Sequence, residues 1–308
     1  MVGMHPPGRY KRLLVSSLAV CLITTTLCSC SLFPHTVPAK LAQTVRLDDA
    51  ATRAAAPAGD AREVNGQLGK RKQHGNEQMS WIELQRHYPG TFFTQGSRTK
   101  RKVALTFDDV PDPRYTPKVL DILAKYKVRA TFFVLGSKAA AYPHLVKRMR
   151  REGHMIGNHS YDHPVFTSLS AHQFGQQITE ADKLLRSLAG YSPRLIRPPY
   201  GAITPNQVEW ARRNGYTIVN WDVDSEDWRS INSSLIMANI KSTLQPGSII
   251  LQHAGGGATQ DLSGTLNALP QLIKMLQAKG YEIVTLPELI NRPVARTKPF
   301  NIKRRPSQ

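Results

Sequence analysis

Val103-Ala104-Leu105-Thr106-Phe107-Asp108-Asp109 holds the key to the chain's architecture. An apolar run, Val103 to Leu105, reads as a buried strand and leads straight into two adjacent carboxylates. Side chains alternate along a strand, so two consecutive Asp cannot share one face of a regular one. One or both must therefore sit where the strand ends and the chain turns. A half-buried carboxylate is costly unless it is paired, hydrogen-bonded or bound to a metal. The plainer alternative is a loop Asp pair capping a helix.

Outward from this stretch, strand-like and helix-like runs alternate. The strands fall at 103–107, 129–134, 154–157, 194–197, 216–221, 248–252 and 281–284. Helices are expected between them at 116–126, 138–152, 170–188, 204–213, 231–243 and 263–278. Such alternation argues a mainly parallel sheet with crossover helices, an α/β fold. Thr116-Pro117 and Thr204-Pro205 put Pro at a first helical position. Gly153, Gly190, Gly215 and Gly280 stand where helices should end. The number of units favours a barrel over an open sheet, and the pattern alone leaves closure open.

Four more groups with chemical potential fall just after predicted strands. His159-Ser160-Tyr161-Asp162-His163 has two His four residues apart, a spacing that puts both imidazoles on one side of a helical turn. Neutral imidazole binds zinc and similar metals, and one Asp with two His leaves coordination open for water and substrate. Arg197-Pro198-Pro199-Tyr200 could equally be a rigid turn with a surface Arg. Asp224-Ser225-Glu226-Asp227-Trp228 could be an acidic loop with one anchoring Trp, and Leu251-Gln252-His253 could hold a satisfied core His. Sites collect at C-terminal strand ends in barrels and α/β sheets. Five such groups in one alternating domain make five independent bland explanations untenable together.

The termini and the charge speak to location. Arg9, Lys11 and Arg12 precede a run from Leu13 to Cys28 without any charge. That is a signal-peptide pattern, and the run of sixteen residues is shorter than the ~20 needed to span a bilayer. Leu27-Cys28-Ser29-Cys30 resembles a bacterial lipobox, with residues 1–29 removed and Cys30 lipidated; an ordinary secreted signal peptide is the alternative. Residues 30–78 read as a flexible linker and 79–98 as a lead-in segment packed on the domain or touching substrate. The catalytic domain is expected at 99–290 and a basic tail at 291–308. All three cysteines lie within the first thirty residues, so nothing beyond them forms a disulfide or a thiolate site. A net charge of +19 favours anionic partners. For an exported chain those are anionic membrane or wall polymer rather than nucleic acid.

Taken in order, T-F-D-D at 106–109, H-S-x-x-H at 159–163, R-P-P-Y at 197–200, D-x-x-D-W at 224–228 and L-x-H at 251–253 resemble the five motifs of the polysaccharide deacetylase family, carbohydrate esterase family four. The resemblance covers roughly residues 100 to 290. It implies a distorted (β/α)7-type barrel forming a single catalytic domain. It also implies that Asp109, His159 and His163 bind a divalent metal, zinc first, with Co²⁺ or others possible. By the same resemblance Asp108 is the general base, held by Arg197, and His253 the general acid, held by Asp227. The N–H of Tyr200 would help stabilise the oxyanion, beside Pro198, while Trp228 and Leu251 would wall the acetyl pocket. One departure stands out: Val110 occupies the place where the family more often has Gly. Val takes positive φ only with strain, so either this position does not need it or the loop differs.

The expected activity is metal-dependent removal of N-acetyl groups from an extracytoplasmic glycan. Peptidoglycan N-acetylglucosamine comes first, with chitin oligomers and O-acetylated xylan as competing substrates. The protein is expected as a lipid-anchored monomer on the outer face of the cell membrane. The rival from another class is a non-catalytic wall-binding lipoprotein that keeps the barrel; its usual mark, loss of a ligand or of Asp108, is absent from the sequence.

Overall fold

The computed structural model describes residues 79–297. The export segment with Cys30, the whole of the linker and residues 298–308 lie outside the described residues. Among the described residues nine parallel strands form one curled sheet. They are β1 (Phe92–Phe93), β2 (Lys102–Val110), β3 (Thr131–Val134), β4 (Met155–Asn158), β5 (Leu195–Ile196), β6 (Thr217–Val219), β7 (Val223–Asp224), β8 (Ile249–His253) and β9 (Glu282–Val284). The order is β1-β6-β5-β4-β3-β2-β8-β7, with β9 pairing on β2. The path ends on β1 and β7, and a single antiparallel bridge, Gln95–Ser248, ties the chain after β1 to the foot of β8. This is the distorted (β/α) barrel the motifs imply.

The helices are α1 (Trp81–His87), α2 (Thr116–Lys125), α3 (Gly136–Ala141), α4 (Pro143–Arg151), α5 (Ala171–Ala189), α6 (Pro205–Arg213), α7 (Ser233–Thr243), α8 (Ser263–Ala278) and α9 (Leu286–Leu289). Among the described residues no helix is long and apolar enough to cross a membrane. Local signals account for most boundaries. Ser170 and Gln173 form a reciprocal capping box that starts α5, and left-handed Gly190 ends it. Pro117 and Pro205 stand in the first turns of α2 and α6, where a missing N–H costs nothing.

The alternation of β2 sets the layers. Val103, Leu105 and Phe107 belong to the core between sheet and helices, with Leu120, Leu272 and Ile273 among its members. Ala104 belongs to a different cluster with Phe133, Leu195, Val219 and Ile249 inside the curl. Each large apolar side chain fully buried this way stabilises by roughly 1.5–3 kcal/mol. Odd positions therefore face the helices and even positions the barrel interior, which decides the orientation of everything at the top of the strand.

Four sequence expectations change. The helix expected at 138–152 is two helices broken at Tyr142-Pro143, because Pro disfavours helical geometry in the residue before it; Tyr142 stands at φ −131, ψ 57. The strand expected at 216–221 ends at Val219, and a second short strand, β7, pairs with β8 instead. The lead-in 79–98 supplies a strand: Phe92 and Phe93 pair in register with Ile218 and Val219, and Leu84 and Phe92 are wholly buried beside them. Lastly, the chain stays packed past residue 290. Arg194 donates from its N–H to the Val294 carbonyl, and the Arg296 guanidinium reaches buried Asp182 at 3.2 Å.

Candidate active site

The Asp pair sits within β2, not beyond its end. On the β3 side Phe107 pairs with Phe132 but Val110 with Val134, so β2 carries one extra residue there, a bulge. Asp109 takes the strain at φ 63. Asp108, at an even position, already faces the barrel interior; the bulge turns Asp109 back toward the same space. This is how two adjacent carboxylates share a cleft that a regular strand would deny them. Val110 needs no positive φ, because the residue before it supplies the turn, and Val110 itself is buried.

His159 follows β4 directly, its N–H donating to the Val134 carbonyl. The segment 159–163 is no helical turn. Ser160 and His163 are both left-handed, at φ 75 and φ 63. Short polar side chains hold this shape: Asn158 Oδ1 accepts from the Ser160 N–H at 2.9 Å, and Ser160 Oγ accepts from the His163 N–H at 2.9 Å. Gln177 of α5 accepts from the N–H groups of Tyr161 and Asp162. Gly136 at the start of α3 must lack a side chain, since a Cβ there would lie 2.3 Å from the Tyr161 ring.

The result is a triangle. His163 Nε2 lies 3.2 Å and His159 Nε2 3.5 Å from Asp109 Oδ1. The three ligand atoms fall within 4.8 Å of one another. Two observations fit these residues to a divalent metal. Asp109 Oδ1 is buried with no hydrogen-bond partner, a costly state that a cation would relieve. His159 Nδ1 donates to the Arg197 carbonyl at 2.8 Å, which fixes the tautomer and leaves the Nε2 lone pair aimed at the triangle. Electrostatics agree. Burial, then His159, pushes His163 down to about 4, so its imidazole is neutral, as a ligand must be. Burial opposes ionisation of Asp109, but the close approach of His159, then His163 and His253, outweighs it and holds the carboxyl below the usual carboxylate range.

Two charged pairs flank the triangle. Arg197 is wholly buried and donates to Asp108 Oδ1 and to Thr106 Oγ1, both at 2.8 Å. Its other N–H groups reach the carbonyls of Val219 and Asn220, and Phe133 lies under the guanidinium at 4.2 Å. On the other side, His253 Nδ1 donates to Asp227 Oδ1 at 2.7 Å, while the His253 N–H and the Thr265 hydroxyl both donate to Oδ2. Strand register sets Asp108 directly beside His253 across β2 and β8. Burial lowers the His253 pKa, but Asp227 above all, with Asp109 and Asp108, lifts it to about 9.

These groups open into a cleft of ≈ 860 Å³. Of the residues singled out in the sequence, Asp108, Asp109, His159, His163, Tyr200, Trp228, Leu251 and His253 line it. Arg197 and Asp227 are buried behind their partners, and buried Pro198 shapes the turn into left-handed Tyr200 without lining the cleft. Tyr200 and Trp228 are both more than half exposed, unusual for large aromatics unless they meet something. Sequence reasoning missed Trp221, Arg229 and Ser230, and Gly257, Thr259 and Gln260 of the loop after β8, all lining the same cleft. The loop follows β8 directly, so the rule that sites collect at strand ends could have found it.

A parallel barrel with an Asp-His-His triangle at its strand ends defines the class: a hydrolase fold built around a metal site. The family model described as polysaccharide deacetylase matches residues 95–219. A peptidoglycan-N-acetylglucosamine deacetylase of Bacillus cereus is 44% identical over 211 residues, covering 68% of this chain and 74% of that protein. The Listeria monocytogenes peptidoglycan-N-acetylglucosamine deacetylase PgdA is 40% identical over 194 residues, and there the match spans only 40% of the relative. The crystal structure of the Bc1960 peptidoglycan N-acetylglucosamine deacetylase, in complex with 4-naphthalen-1-yl-N-oxidanyl-benzamide, superposes with a TM-score of 0.65 at 42% identity, covering 67% of this chain and 95% of that one. The chain belongs to the polysaccharide deacetylase family.

Proposed function

We propose that this protein is a zinc-dependent N-deacetylase of peptidoglycan N-acetylglucosamine, exported and held at the membrane through Cys30. The carrying observation is the arrangement at one cleft: the Asp109-His159-His163 triangle, an arginine-held carboxylate on one side and a carboxylate-held imidazole on the other. The names of the relatives support the substrate, and the basic charge suits an anionic envelope.

When bound, a divalent metal supplies Lewis acidity to water and to the acetyl carbonyl. Asp108, held by the Arg197 guanidinium, would take the proton as water attacks. The Tyr200 N–H offers a donor where negative charge develops on oxygen. His253 donates its proton to the departing sugar nitrogen. Exposed Trp228 and buried Leu251 offer apolar surface to the acetyl methyl group.

The opposed surroundings of Asp108 and His253 keep their roles apart. A soluble form starting near residue 79, stripped of metal by chelation, is expected to release no acetate from peptidoglycan and to recover on adding zinc. Chitin oligomers and acetylxylan, assayed alongside, rank the substrates. No metal-dependent release from any of the three would sink the enzyme reading and leave a wall-binding protein.

The pH profile follows from His253. A folded value raised from 6.5 to about 9 means the proton is held across neutral pH. The stabilisation this adds is complete below 6.5 and is lost as pH rises through about 9. A dication on Asp109 offsets part of the carboxylate pull, so the alkaline limb of kcat lies at or below that value. Asp227→Asn removes the leading upward influence, and its alkaline limb is expected at least about one unit lower in pH than wild type. Coincident limbs would remove His253 from the acid role.

A further inference from the structure

The loop after β8, Ala254 to Asp261, carries Gly257, Thr259 and Gln260 on the cleft wall. It is rich in Gly and has few apolar anchors, yet its carbonyls are bound one after another by side chains from the segment that follows the Asp pair and by Lys138 of α3. Thr116 Oγ1 donates to the Ala254 carbonyl at 2.7 Å. Lys138 Nζ donates to the Gly256 carbonyl at 3.3 Å and to that of Asp109 at 2.8 Å. Arg114 forks, NH2 to Gly257 O at 2.9 Å and NH1 to Ala258 O at 2.7 Å. The Tyr115 hydroxyl donates to Gln260 O at 3.1 Å.

Arg114 is itself aimed. Asp112, only 5% exposed, accepts from the Arg114 backbone N–H, from Nε at 3.2 Å and from NH2 at 2.8 Å. The Asp112 N–H in turn donates to Thr116 Oγ1. The far end of the loop acts on the other wall. Gln260 Oε1 accepts from the Gly257 N–H, and Gln260 Nε2 donates to the Trp228 carbonyl at 3.1 Å. A continuous chain of hydrogen bonds thus runs from Asp112 through Arg114 and the loop to Trp228. Arg114 itself does not line the cleft.

We propose that Arg114 is a positioning residue that sets the glycan-binding wall of the cleft. By holding two successive carbonyls it fixes Thr259 and Gln260, and through Gln260 the backbone of Trp228. A planar guanidinium suits this task, because one rigid fork serves both carbonyls while Asp112 fixes its orientation. Lysine reaches one carbonyl at a time. The proposal rests on the glycan deacetylase reading above.

The experiment compares wild type, Arg114→Ala, Arg114→Lys and Asp112→Asn on N-acetylglucosamine oligomers, with zinc content measured for each. Arg114→Ala is expected to raise KM about tenfold, with kcat within about twofold of wild type and zinc content unchanged. Arg114→Lys should fall between the two. Calorimetric binding of the same oligomer in an Asp108→Asn background gives the comparison without turnover, so a wild type that releases no acetate fails the deacetylase reading and not this one. Unchanged KM and unchanged affinity in folded Arg114→Ala overturn the proposal. So does a fall in kcat together with loss of zinc, which would make Arg114 a support of the metal site. Should Arg114→Ala not fold, Asp112→Asn decides on the same readouts, since it keeps the guanidinium but frees its orientation.

Discussion

Asp108→Asn is expected to cut acetate release by about 10²–10⁴-fold while metal content stays at the wild-type level. The side chain keeps its shape, and the Asp109, His159 and His163 atoms that converge on the metal position are untouched. What goes is the group proposed to take the proton. The substitution also reaches the core. Arg197 is wholly buried and Asp108 is its ion-pair partner at 2.8 Å, so the amide leaves a buried cation with neutral partners only. A lower urea midpoint should accompany the rate loss. Single-turnover assays on zinc-loaded protein separate the two effects. Full activity in a zinc-loaded Asp108→Asn variant would refute the base assignment and leave the metal site standing.

The second large effect belongs to Arg197→Ala, which is expected to destabilise the domain by about 3–5 kcal/mol. The guanidinium does more than pair with Asp108. It donates to Thr106 Oγ1 and to the carbonyls of Val219 and Asn220, so it links β2 to the end of β6 across the barrel interior. It also fills the space above the Phe133 ring. Truncation strands a buried carboxylate, unpairs two carbonyls and opens a cavity at once. Arg197→Met restores part of the volume but none of the charge. Its unfolding free energy should fall between wild type and Arg197→Ala, while its acetate release should be as poor as that of Arg197→Ala. Denaturant unfolding of the three proteins checks the order. A loss below about 1 kcal/mol for Arg197→Ala would mean that water enters and solvates the Asp108 carboxylate.

Both predictions depend on features that differ in how far local sequence could announce them. Motif positions were readable because each falls just after an apolar run, and alternation of strands and helices is a local pattern. His253 beside Asp108 follows from β2 and β8 being neighbours, which no local periodicity encodes. The His pair shows the gap most clearly. Spacing of four admits a helical turn, but the chain instead takes two left-handed residues, held by Asn158, Ser160 and Gln177. Gln177 is fourteen or more residues away from the histidines, and its role exists only because α5 packs against β4. The strand at Phe92-Phe93 was hidden for a similar reason: two residues carry no period, and only pairing with β6 makes them a strand.

By itself the sequence determined that this is an α/β domain with five chemical groups at strand ends, and that it resembles the polysaccharide deacetylases. Periodicity, turn residues and motif order are local properties, and local properties survive in one dimension. Tertiary structure decided how the opening pair of carboxylates shares one cleft. A bulge against β3 and a left-handed Asp109 turn the second carboxylate toward the histidines, while barrel alternation aims the first at Arg197. Those are consequences of register between strands distant in the chain, and register is set by hydrogen bonds that no single segment contains.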